Sequence, residues 1–170
     1  ITNWQSVTVD AGCSFLKMSV DPPAAGEAKL DRKNVLKFRT DKWCRPAEPG
    51  RAEDCTYSSA ATAITTVFYT NHPGNEDDGA ILDADIQMND IDFTFVVVGA
   101  DGKVPVPRKG TSAADLENTL THELGHFQGL DHTCWDKSPP HVNTPPIDDT
   151  GAAIPACTEV SQPSFPQVKK

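Results

Sequence analysis

Only one stretch of this chain carries a sustained helical period. Leu116, Leu120, Leu124 and Phe127 recur three or four residues apart, the spacing that buries one face of an α-helix. The segments before it have the other rhythm. "SVTVDAGC", "NVLKFR", "SSAATAITTVFYT" and "DFTFVVVGADGKVPVP" read as strands joined by Pro-, Gly- or acid-rich turns,. In "AILDADIQMN", Ile81, Asp83, Asp85 and Gln87 alternate with Leu82, Ala84, Ile86 and Met88. After the helix, seven prolines between Pro139 and Pro166 oppose further regular structure,. The order is therefore strands, one long helix near Asp115 to Phe127, and an irregular tail. Ser112, with Asp115 three residues on, reads as the helix start, a capping box with Asp in place of the usual Glu or Gln,.

The helix carries unusual chemistry. "HELGHFQGLDH" places His122, His126 and His132 within eleven residues of a chain with five histidines. Residues four apart share a helix face, so His122 and His126 are placed to hold one metal ion. Glu123 sits beside the first ligand, where it can serve a water without ligating the ion. Gly129 allows the helix to end in a left-handed residue and the chain to turn His132 back as a third ligand. Three neutral nitrogens leave a tetrahedral zinc one open position. That vacancy separates a reagent from a purely structural metal, and it predicts an activity that falls in acid, where protonated imidazoles release the ion. A polar helix and loop without metal is the plainer reading, against which Gly129 and His132 both stand at the offsets the motif requires; a purely structural metal gives Glu123 no role.

Composition narrows the setting. A chain of 170 residues, 38 % of them apolar, can bury one core and reads as a single domain, 1–170,. It has no apolar run long enough for a membrane span,. The net charge of -9 and the absence of Lys and Arg from Ala52 to Gly102 disfavour nucleic acid,. Cys44 and Cys55 bracket one Pro/Gly-rich segment, Cys134 and Cys157 another, so these pairs are expected as disulfides in an oxidising, extracellular compartment,. Cys13 is left over. His72 and His141 read as loop histidines, and Trp135 as packing around a disulfide.

The signature and its surroundings resemble a known family. "HELGHFQGLDH" matches HExxHxxGxxH, the zinc signature of the metzincin endopeptidases. "NVLKFRTDKW", "AITTVFYT", "GAILDADIQMN" and "DLENTLTHELGHFQGLDHT" are similar to matrixin-like secreted bacterial, myxobacterial-type proteases. The resemblance implies an α/β domain of α+β type: a twisted, mixed five-stranded sheet, an active-site helix and an irregular C-terminal part. It implies Zn2+ on His122, His126 and His132, with Glu123 as general base. It also implies an extended peptide or protein substrate lying along an antiparallel edge strand, taken here as Ala80 to Asn89. Ca2+ is the other ion it admits. Asp83 or Asp85, and Glu76, Asp77 and Asp78, are its candidate ligands, against the simpler reading of a solvated strand face and an acidic turn.

Two features depart from the family. Its methionine turn follows the third histidine, whereas Met18 and Met88 both precede it. The expectation is a domain incomplete at both ends or processed, with a second polypeptide completing it as one arrangement. A true variant, with the Cys134 to Cys157 loop replacing the missing support, is the other. The second departure is that no propeptide with a zinc-blocking cysteine is evident. A catalytically silent secreted binding or scaffold protein on the same frame is the alternative function, which the presence of Glu123 disfavours.

Overall fold

A computed structural model describes residues 8–9, 12–13, 17–45, 47, 50–99, 101–132, 134–135, 137, 143–147 and 151–157. They fall into two compact units, Ile1–Leu130 and Asp131–Lys170. The first holds all the strands and the helix, an α+β arrangement. No helix among the described residues is long and apolar enough to cross a membrane.

Within "SVTVDAGC", β1 (Thr8–Val9) and β2 (Gly12–Cys13) pair as two short antiparallel strands. Five further strands follow: β3 (Leu36–Arg39), β4 (Ala63–Tyr69), β5 (Ile81–Asn89), β6 (Phe93–Val96) and β7 (Ser112–Asp115). Three of them make a mixed sheet in the order β3-β5-β4, and β6 pairs with β7 in parallel. β5 is the central strand, parallel to β3 and antiparallel to β4. This corrects the expectation that Ala80 to Asn89 is the antiparallel edge. The reason is burial: every β5 residue from Asp83 to Asn89 is covered on both faces. The edge position falls to β4, whose β-branched and aromatic residues suit a half-covered strand,.

The helix α1 (Leu116–Phe127) follows β7 directly. Its cap is Asp115, whose carboxylate accepts hydrogen bonds from the Glu117 and Asn118 amides at 2.9 and 3.2 Å,. Ser112 is not the cap, because Ser112 to Asp115 are extended in the ladder with β6. The leucine stripe seats the helix as its spacing predicts. Leu124 packs with Ile86 and Met88 of β5, surrounded by Met18, Ala63, Phe95, Leu116, Leu120 and Phe127. Phe38 of β3 meets Phe95 edge-on, with ring centroids 5.5 Å apart.

The opposite face of β5 is polar and equally buried. Asp83 accepts from the Asp31 and Arg32 amides at 2.7 and 2.6 Å. Asp85 accepts from the Lys29 and Val35 amides, both at 2.8 Å. Two carboxylates thus hold the segment from Lys29 to Val35 against the sheet, and Ile86 and Val35 continue the attachment through a 2.8 Å backbone bond. Both oxygens of Asp85 are occupied by chain amides. Burial pushes the Asp85 carboxyl up to about 6, against the Val35 amide and with help from the neighbouring charge of Asp83,.

Both expected disulfides are present, Cys44–Cys55 and Cys134–Cys157. Each is worth about 3 kcal/mol on the chain-entropy estimate. The first closes a hairpin-like loop in which Arg45 and Asp54 exchange backbone bonds of 2.8 and 3.0 Å. In the second unit, Trp135 lies beside its disulfide, donating its amide to Pro155 and accepting from Cys157. His141 lies outside the described residues.

Two outcomes are expected. Asp83→Ala strands two amides and lowers the thermal midpoint by roughly 4 °C, read by calorimetry. Asp85 holds its proton more tightly folded than unfolded, so its contribution is full below its ordinary 3.8 and is lost as pH rises through about 6,. Chemical unfolding of wild type and Asp85→Asn over that range therefore shows the wild type losing stability relative to the variant as pH rises.

Candidate metal centre

The seating of Leu124 dictates where its neighbours go. A helix turns by about 100° per residue, so positions two before and two after a buried one both emerge on the far side. His122 is accordingly exposed and His126 partly so, while Leu124 is buried. The two rings stand nearly perpendicular, with centroids 4.7 Å apart. Their Nε2 atoms lie 3.0 Å apart.

The helix ends where its donors require. Gly129 has φ +88°, and its amide bonds to the His126 carbonyl at 2.8 Å while the Leu130 amide reaches back to Gly125 at 3.1 Å. This pair of bonds is the left-handed stop that glycine permits. It brings the Leu130 carbonyl to 2.7 Å from His126 Nδ1. A carbonyl can only accept, so Nδ1 carries the ring proton and the Nε2 lone pair is left to face His122.

His132 completes the group. Ligand atoms of His122, His126 and His132 all lie within 4.8 Å of one another. The donor set fits a zinc ion: two nitrogens on a tetrahedral zinc at ordinary bond lengths are ~3.3 Å apart, close to the Nε2 separation of 3.0 Å here. Two neutral imidazoles do not hold bare lone pairs that close without a proton or a cation to share.

Glu123 is placed differently. The cluster contains no carboxylate, and Glu123 is 5 % exposed, turned toward β4. There Thr65 Oγ1 donates to Glu123 Oε2 at 2.5 Å and lies 3.2 Å from the Glu123 backbone carbonyl. Thr65 stands opposite Ile86 in the ladder, on the face the helix covers. Sequence reasoning missed Thr65, because its partner lies 58 positions away. Only alternation along β4 hints at its side of the sheet.

The other candidate ligands make contacts within the chain. Cys44, Glu53 and Cys55 lie close together, but both sulfurs are consumed in a disulfide. His72 contacts Asp77 at 3.2 Å, and the Asp78 carboxylate accepts the His72 amide at 2.9 Å. These are bonds within an exposed turn. The chain matches no family model, no curated protein and no solved structure.

Isothermal titration of metal-free protein is expected to give one zinc per chain. His126→Ala or His132→Ala weakens it by more than the roughly 10- to 100-fold lost with an outer hydrogen-bond partner. Gly129→Ala places a side chain at φ +88°, at a cost of about 1–2 kcal/mol. That variant both melts earlier and binds zinc less tightly.

Proposed function

We propose that this chain is a zinc-dependent endopeptidase of metzincin type that works outside the cell, with His122, His126 and His132 as metal ligands and Glu123 as general base. The observation that carries the reading is the convergence of the three imidazoles without a carboxylate among them, beside a buried glutamate held by a separate bond. Zinc bound there supplies a Lewis acid for a peptide carbonyl and a lowered pKa for water.

The chain's own groups do the rest. The Leu130 carbonyl holds the His126 ring in the tautomer that presents Nε2,. Glu123 takes the proton of the water that adds to the carbonyl carbon. As the C–N bond breaks, the same carboxyl returns that proton to the departing amine. β4 supports binding of an extended substrate, because among the described residues its outer edge pairs with no strand, and an open edge accepts a peptide by β-augmentation. Two disulfides support an oxidising compartment,.

Cleavage of casein or a quenched peptide by the zinc-loaded protein tests this. A chelator is expected to abolish turnover and added zinc to restore it. Glu123→Gln keeps its zinc but loses about 10²- to 10⁴-fold in kcat, the range of general acid–base catalysis. Turnover that survives the chelator, or a variant as fast as wild type, rules the mechanism out; a zinc-loaded protein that cleaves nothing rules out the peptidase.

A further inference from the structure

Thr65 does more than fill a strand position. Its hydroxyl has one proton, and the nearer of its two acceptors is Glu123 Oε2, at 2.5 Å against 3.2 Å for the backbone carbonyl. The other carboxylate oxygen, Oε1, accepts none of the hydrogen bonds made among the described residues. The two oxygens are inequivalent: Oε2 is tied to β4 and Oε1 is not. The tie is rigid at both ends, since Thr65 belongs to a strand laddered to β5 and Glu123 to a helix whose next residue, Leu124, is buried in the core.

We propose that Thr65 is a positioning residue for the reaction. By engaging Oε2 it fixes the rotamer of Glu123 and leaves Oε1 to receive the proton of the attacking water. The inference rests on the peptidase reading and adds to it a residue outside the zinc signature. Thr65 touches neither substrate nor metal in this role; it acts through the orientation of Glu123. A β-branched side chain suits the task, because its χ1 is stiff in a strand and the hydroxyl does not wander from the carboxylate.

The test uses Thr65→Val, which keeps the shape and removes the hydroxyl, and Thr65→Ser, which keeps the hydroxyl. In zinc-loaded protein, Thr65→Val is expected to lower kcat by about 10- to 100-fold, as loss of an outer-shell orienting bond does. KM and zinc content stay within about twofold by the same reasoning, and Thr65→Ser recovers most of the rate. In the Glu123→Ala background the valine substitution changes the residual rate no further.

A second readout needs neither metal nor turnover. In metal-free protein, Thr65→Val lowers the melting midpoint by roughly 4 °C when Glu123 is present and by far less when it is alanine. Additive melting shifts, or an active wild type whose kcat is untouched by Thr65→Val, overturn the role of Thr65 while leaving the peptidase standing. A zinc-loaded wild type without turnover overturns both, and coupled melting shifts in the metal-free protein then mark the contact as structural alone.

Discussion

Everything in the site follows from the burial of Leu124 against Ile86 and Met88. Seating one leucine fixes the rotation of the helix about its axis. His122 and His126 then emerge together on the far side, and Glu123, a quarter turn away, is directed at β4. Histidines and glutamate are adjacent in sequence but separated in space by this rotation alone. That separation lets the histidines form a cluster without the carboxylate. A helix rolled by one position would exchange these surroundings and put the glutamate in the open.

The central strand carries a comparable division on its two faces. One face of β5 is apolar and takes the helix; the other presents buried carboxylates to backbone amides. Burying two acids is costly unless their oxygens are satisfied, and the segment from Lys29 to Val35 supplies the donors. One oxygen, Asp83 Oδ1, is buried and has no hydrogen-bond partner among the described residues. The raised carboxyl of Asp85 reflects its burial first, and the neighbouring charge of Asp83 adds to it. Glu27 shows the contrary case at the surface: the side-chain bond from Lys37, with Arg39 also close, holds its carboxyl below the usual range.

What was legible in the sequence was what depends on near neighbours. The helix, its stop at Gly129, the spacing of the three histidines and the two disulfides are set within short stretches or by loops that cysteines bracket. Strand order was not legible. Alternation in "AILDADIQMN" is the same for an edge and for a centre, and only the partners on both sides, β3 and β4, distinguish them. Ser112 and Asp115 are both plausible caps by sequence because the residues between them suit a strand as well as a first turn, and pairing with β6 decides for Asp115. Thr65 was invisible for the same reason: its importance lies in a contact made by the fold and not in its local pattern.

The bond between Cys134 and Cys157 spans 23 positions of proline-rich chain. A break in any peptide group along that span leaves both pieces covalently joined. Where the chain meets a protease, a nick there is silent until the sulfurs are reduced. Durability in that setting is then governed by redox conditions as much as by folding.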